Sequence, residues 1–209
     1  MANIFKSERL IYRGVEDPED DELMVRLESD PENQVNSDMN LHKPPSRKSV
    51  LSGYKVWILE KALMAAVVCL KPSSPRLAQP QGDEEESDKA PPTPIGIIHI
   101  RRQNGAHTRD SSIGINILPD FQRQGYGSEA IRWMLGWAFQ TAGLHRVGLD
   151  AFSYNEGAVR LYERLGFQPE GRRREAVFHN GRWHDCVAFG MTEDEWREMQ
   201  RKHEAGREA

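Results

Sequence analysis

Gln122-Arg123-Gln124-Gly125-Tyr126-Gly127-Ser128-Glu129-Ala130 lies between two segments of different period. A strand-like run, Ile113-Gly114-Ile115-Asn116-Ile117-Leu118, precedes it, and an apolar-periodic segment from Ile131 to Ala142 follows. The stretch therefore marks the point where a strand gives way to a helix. Two glycines and a cation at such a junction predict a loop whose backbone N–H groups hold an anion, reinforced by the dipole of the helix N-terminus. Glycine suits that task because a side chain would keep a ligand away from the backbone.

Three structures fit this loop taken alone. One is a plain glycine-containing turn before a helix. Another is a dinucleotide fold: Gly125, Gly127 and Ala130 satisfy G-x-G-x-x-G/A, and Asp150 follows at roughly the expected ~20 residues. The third is a pyrophosphate loop of the acetyl-CoA type, Q/R-x-x-G-x-G/A, satisfied by Gln122, Gly125 and Gly127.

With 209 residues the chain is long enough for one domain with a substantial core, and a single domain over 1–209 is expected. The formal net charge of -4 gives no overall attraction to nucleic acid. The apolar share of 38% is low for a packed chain and predicts that part of it stays unpacked. No run approaches the ~20 apolar residues of a membrane span. Met1 to Leu10 contains Lys6, Glu8 and Arg9 and has no apolar signal core. Cys69 and Cys186 both fall in apolar strand-like runs and form no metal-ligand spacing. They read as buried thiols of a reducing compartment, the cytoplasm, with the nucleus left open.

Along the chain, Ile4 to Val15 alternates as a strand. Asp17 to Asp30 carries Leu23, Met24 and Leu27 at helical spacing, with acids in the first turn. Pro31 breaks that pattern, and Pro31 to Pro45 reads as loop. Ser46 to Lys61 is helical by its Val50, Tyr54, Trp57, Ile58 and Lys61 spacing, and Leu63 to Leu70 is a buried strand. Lys71 to Pro94 holds six prolines and the acidic cluster Asp83-Glu84-Glu85-Glu86, and reads as a disordered surface insertion. Strands follow at Ile95 to Arg102 and Ile113 to Leu118, with Gln103-Asn104-Gly105 as a turn. His145 to Phe152 is a strand, and Asn155 to Leu165 a helix ended by Gly166. Phe167 to Val177 and Asp185 to Met191 close the sheet around Asn180-Gly181, and Thr192 with Glu195 caps a final helix. Consecutive antiparallel strands before one loop and one long helix predict an α+β fold with a single parallel crossover.

That order removes the dinucleotide reading. Its first glycine should directly follow the first strand, yet six residues, Pro119 to Gln124, intervene after Leu118. About 80 residues remain beyond the motif, too few for a six-stranded doubly wound sheet. A Walker loop fails because no Gly-Lys-Ser/Thr follows.

A second informative stretch is Asn155-Glu156-Gly157-Ala158-Val159-Arg160-Leu161-Tyr162-Glu163-Arg164-Leu165-Gly166-Phe167. On a helix, Ala158, Leu161, Tyr162 and Leu165 share one face. Tyr162 is then held on an apolar surface while its hydroxyl needs a partner.

Together the two stretches resemble the GNAT superfamily of N-acetyltransferases. The loop resembles its CoA-pyrophosphate motif at Gln122, Gly125 and Gly127. The second stretch resembles its Asn-x-x-Ala-x-x-x-Tyr-x-x-x-Gly-Phe block at Asn155, Ala158, Tyr162, Gly166 and Phe167. Gly181-Trp183-Asp185 and the opening Ser7 to Arg13 look closest to the ribosomal-protein and spermidine/spermine branch. The resemblance implies a mixed, mostly antiparallel sheet of about seven strands, flanked by helices and splayed where acetyl-CoA binds. It implies that Ile115, Asn116 and Ile117 bond the pantetheine arm through exposed backbone. Gln122, Arg123, Gln124, Gly125, Tyr126, Gly127 and Ser128 would wrap the pyrophosphate, and Asn155 and Ala158 would complete the donor site.

The implied reaction is direct acetyl transfer to a primary amine, a small amine or polyamine or the N-terminus of a protein. Tyr162 matches the family's general acid, and backbone N–H near Ile117 would stabilise the oxyanion. No metal is implied. Many relatives carry a glutamate on the pantetheine-binding strand, where this chain has Gly114 and Asn116. His99, Asp150, Glu170 or a water relay remain as bases. Expected partners are an amine-bearing small molecule or a peptide N-terminus, with a homodimer as a further option, and neither nucleic acid nor membrane. The rival reading is a non-catalytic acyl-CoA-binding module that senses the cofactor or recruits a partner through the insertion.

Overall fold

Alternating apolar runs become the strands of one seven-stranded sheet in the computed structural model, which describes residues 3–37, 39–72, 91–102, 105 and 107–208. In chain order these are β1 (Leu10–Arg13), β2 (Ala62–Leu70), β3 (Thr93–Arg101), β4 (Asp110–Ile117), β5 (Arg146–Phe152), β6 (Gln168–His179) and β7 (Arg182–Thr192). Side by side they run β1-β2-β3-β4-β5-β7-β6. Every neighbouring pair is antiparallel except β4 and β5. Parallel neighbours need a crossover, and here it passes through the glycine loop and its helix. The mixed α+β sheet expected from the sequence therefore forms.

Helices cover both faces. On one face lie α1 (Asp21–Ser29), α2 (Pro31–Ser37), α3 (Arg47–Val50), a π-helical turn (Leu51–Lys55) and α4 (Val56–Glu60). Their Leu23, Met24, Leu27, Val50 and Ile58 pack on Val67, Cys69 and Ile97 of the sheet. On the other lie α5 (Tyr126–Gly136), extended by a π-helical turn (Trp137–Thr141), then α6 (Glu156–Arg164) and α7 (Glu193–Glu208). Ala158, Leu161 and Tyr162 of α6 pack there against the larger core, as their spacing predicts. Thr192 and Glu195 form the reciprocal cap of α7.

Two expectations change. Pro31 to Pro45 is not all loop, because Pro31 begins α2. Proline is well placed in a first helical turn, where its missing N–H would have no acceptor anyway. The Asp30 carboxylate caps that helix by accepting from the Asn33 amide at 2.8 Å. The opening strand is also shorter than Ile4 to Val15. Lys6 bridges to Ile11 and the Ser7 amide donates to the Leu10 carbonyl, so the chain turns back on itself before β1, and Glu129 in the first turn of α5 anchors that turn. Its carboxylate accepts from Ser7 Oγ at 2.6 Å, from the Arg9 amide at 2.7 Å and from Arg9 Nε at 2.8 Å.

The β4–β5 pairing is brief. Only Asp110, Ser111 and Ser112 pair, with Arg146, Val147 and Gly148. Beyond that point β4 stays with β3 as far as Ile117, and β5 stays with β7 as far as Phe152. The sheet therefore splays between them. Cys69 and Cys186 are buried free thiols. Among the described residues no helix is long and apolar enough to cross a membrane. Residues 73–90 of the proline-rich insertion, and Gln103 and Asn104 of the expected turn, lie outside the described residues.

Burial alone would raise the Glu129 carboxyl, but hydrogen bonds from Ser7 and from the Arg9 amide and guanidinium hold it below the usual carboxylate range. A depressed folded-state value stabilises the fold above the unfolded value and is lost as pH falls through the folded one. Glu129→Ala should therefore destabilise the protein by about 2 kcal/mol at neutral pH, the scale of hydrogen bonds to a charged group. The gap to wild type should narrow once pH drops below about 4.3, the ordinary glutamate value. Urea melts at pH 7 and pH 3.5 check both the size and the sign.

Candidate active site

The loop ahead of α5 is held by a left-handed residue and an arginine. Gly125 is the N-cap of α5, at φ +84, where a β-carbon would strain the backbone. The first amide bonded back into the helix is that of Glu129, to the Gly125 carbonyl. The amides of Tyr126, Gly127 and Ser128 precede it and have no intrahelical acceptor, so the dipole and N–H groups of the helix end point outward together. Arg9 fixes the loop from behind. Its Nη1 donates to the Gln124 carbonyl at 2.9 Å, and its guanidinium lies 4.6 Å over the centroid of the Tyr126 ring.

The loop residues therefore divide. Gly125, Gly127, Ser128 and Arg123 line the large cleft. Tyr126 sends its ring into the core, and the Gln124 side chain donates to the Asp120 carbonyl. Only their backbones remain for a ligand. The Gln122 amide is also occupied, donating to the Ile117 carbonyl at 2.9 Å and to Asn33 Oδ1 at 3.1 Å.

The cleft has a volume of about 1800 Å³ and runs from this loop through the splay to the β6–β7 turn. That exceeds the ~300–1,000 Å³ of an ordinary small-molecule site and leaves room for two substrates. Leu118 N donates to the Ile95 carbonyl, so strand alternation turns the backbone of Asn116 toward β3 and those of Ile115 and Ile117 toward the gap. The expected use of Asn116 backbone is thereby corrected, since its ladder groups already face Ile97. Ile115 and the amide of Ile117 keep theirs open to the cleft side, while the Ile117 carbonyl is taken by Gln122 and Asn33.

Across the gap, Asn155 caps α6, its side chain accepting from the Ala158 amide at 3.1 Å. That bond engages the amide of Ala158, leaving Ala158 to the cleft wall as surface. Tyr162 lines the same wall, its ring edge-on to Phe167 and Phe189. Burial, and then the charge of Asp150, push its phenol up to about 12. It therefore stays protonated at neutral pH and can donate.

Of the ionisable groups read as bases, His99 and Asp150 line the cleft. Glu170 does not; Arg146, at the start of β5, holds it in an ion pair. Sequence reasoning passed over two residues that shape the site. Asn33 is buried in α2 and donates to the Leu27 and Ile117 carbonyls. Tyr154 donates to the Val35 carbonyl at 2.5 Å and ties the end of β5 to α2. Asp30 before Pro31 and Glu32 is a helix-start signal, and it could have revealed α2 and with it Asn33.

Over residues 9–168 the sequence matches the family model for the acetyltransferase (GNAT) domain. The putative ribosomal N-acetyltransferase YdaF of Bacillus subtilis is 34% identical over 101 residues, 48% of this chain and 55% of the relative. The spermidine N(1)-acetyltransferase of Vibrio cholerae is 35% identical over 91 residues, 44% of this chain and 52% of the relative. This chain thus spans about half the length of the curated relatives it matches. A crystal structure of spermidine N-acetyltransferase from Vibrio cholerae in complex with CoA and spermine shares the fold. Its TM-score is 0.68 at 22% identity, over 91% of this chain and 99% of that one.

Gly125→Ala should strain the loop by about 1–2 kcal/mol, the cost of a left-handed alanine. If the loop holds a pyrophosphate, titration calorimetry with CoA should show affinity about 5–30-fold weaker. An unchanged affinity would place the anion elsewhere.

Proposed function

The chain belongs to the GNAT acetyltransferase family, and we propose that it moves an acetyl group from acetyl-CoA to a primary amine in a ternary complex. One observation carries this reading. The β4–β5 gap opens at one end onto Gly125, Gly127 and Ser128 at the start of α5 and along one wall onto Tyr162. A long donor with an anionic head and a thioester tail fits that shape. The head would sit on the helix end, with Arg123 beside it, and the arm would bond the Ile115 and Ile117 backbones in place of the missing strand pairs. Asn155 and Ala158 would flank the arm.

The chemistry follows from the charges that develop. A neutral amine attacks the thioester carbonyl, the carbonyl oxygen gains negative charge, and sulfur leaves as thiolate. The Ile117 amide would stabilise the oxyanion. Tyr162 would hydrogen-bond or protonate the sulfur, and its raised pKa keeps that proton available. The acceptor enters from the face of α1 and α2, where Glu28 and Glu32 line the cleft. Two carboxylates there suit a cationic amine, a polyamine or a peptide N-terminus. The names of the ribosomal and spermidine relatives support both classes.

Thiol release from acetyl-CoA over a panel of polyamines, amino acids and short peptides tests the activity. Binding of acetyl-CoA without turnover on any of them would favour a cofactor-sensing module instead. On a working amine, Tyr162→Phe should lower kcat by about 10²-fold or more, the scale of general acid catalysis. Acetyl-CoA affinity should be unaffected. The wild-type rate should show no loss from tyrosine ionisation below about pH 10, since the phenol titrates near 12.

A further inference from the structure

The strand that lines the gap, β4, presents three side-chain positions to the α1–α4 face within the cleft, Ser112, Gly114 and Asn116. None carries an acid or a base. His99 of β3 stands directly opposite Gly114 in the ladder and shares its face. A β-carbon on Gly114 would overlap the Cε1 and Nε2 atoms of the His99 ring. The imidazole thus fills the volume of the side chain that β4 lacks at this point.

The surroundings of the ring are unusual for a structural histidine. His99 is 9% exposed, and its Nδ1 has no hydrogen-bond partner among the described residues. No bond at Nδ1 commits the ring to one tautomer, so Nε2, the nitrogen that stands over Gly114, can carry the lone pair. The Trp57 ring holds the imidazole edge to face at 4.7 Å. In the same wall the Tyr54 hydroxyl is also buried, beside the Asn116 side chain. Buried polar atoms are nearly always paired, and each unpaired one costs about 1–3 kcal/mol. A polar group of a substrate entering the cleft beside His99 would relieve that cost.

We propose that His99 receives the attacking amine, its imidazole accepting a hydrogen bond from that nitrogen and taking the proton the nitrogen loses. This rests on the acetyltransferase reading. The nitrogen–carbon bond forms and the carbon–sulfur bond breaks. The amine proton passes to His99 and on to water in the cleft. Sulfur takes its proton from Tyr162, which recovers one from water, so one proton in total moves from nitrogen to sulfur. Burial first, and then the positive charge of Arg101, hold the imidazole down to about 4. The ring is therefore neutral and receptive at every pH where an amine reacts, and it does not retain the proton. Among the described residues Asp150 on β5, Glu28 of α1, Tyr54 and Arg101 also line this cleft, and the charge of Asp150 acts on Tyr162.

The test compares wild type with His99→Gln and His99→Ala, using spermidine and a peptide with a free N-terminus as acceptors. On a working amine both variants should lose about 10²-fold or more in kcat, the scale of general base catalysis, with acetyl-CoA affinity unaltered by calorimetry. Added imidazole should restore part of the turnover of His99→Ala and none of that of Tyr162→Phe. In ¹⁵N NMR of the CoA-saturated wild-type protein, spermidine or the peptide should move a ring-nitrogen resonance of His99. Wild-type turnover in the variants overturns the proposal. So does a loss accompanied by weakened acetyl-CoA binding, or one that imidazole does not relieve. Absence of thiol release by wild type defeats the acetyltransferase reading separately. The NMR arm then still decides whether His99 meets an amine, and an unmoved resonance counts against it.

Discussion

Two parallel strands that stop pairing after three residues impose the constraint on which the rest of the molecule depends. Backbone N–H and C=O groups inside a protein must find partners, and the facing edges of β4 and β5 lose theirs where the sheet splays. The protein supplies some of them itself. The Ile117 carbonyl accepts from Gln122 at 2.9 Å and from Asn33 at 3.4 Å, so two side chains close the outer end of the gap. The remaining edge groups, at Ile115 and the Ile117 amide, are what a ligand with amide groups can satisfy. The open sheet is therefore shaped by which hydrogen bonds are made internally and which are left.

The two sides of the gap are stabilised in different ways. On the α5 side, Arg9 and Glu129 lock the N-terminal segment to the first turn of the helix with charge-assisted bonds. That clamp fixes a loop containing two left-handed residues, Arg123 and Gly125. Such a loop would otherwise sample many conformations. On the α1–α4 side the wall is made by short helices, with single polar struts such as Tyr154 to Val35.

Much of this was legible in the residues. Gly125 and Gly127 between a strand and a helical period marked the loop that starts α5. The Ala158, Leu161, Tyr162 and Leu165 spacing placed the phenol on a buried face. Both are local patterns, set by backbone conformation and by the helical period. Side-chain destinations were not legible. Gln122 and Gln124 lie in the loop, yet each side chain turns back onto a main-chain carbonyl. Tyr126 goes into the core because Arg9, far away in sequence, stacks on it.

The sequence by itself determined the order of elements, the crossover, the loop conformation and the identity of the family. These rest on short-range steric rules and on motifs a few residues long. Tertiary structure alone decided which groups face the cleft. It set Glu170 aside in an ion pair with Arg146 and brought His99 over Gly114 from the adjacent strand. The physical reason is register. Which residue of β3 stands against which residue of β4 is fixed by packing on both faces of the sheet, and no local stretch of either strand contains that information.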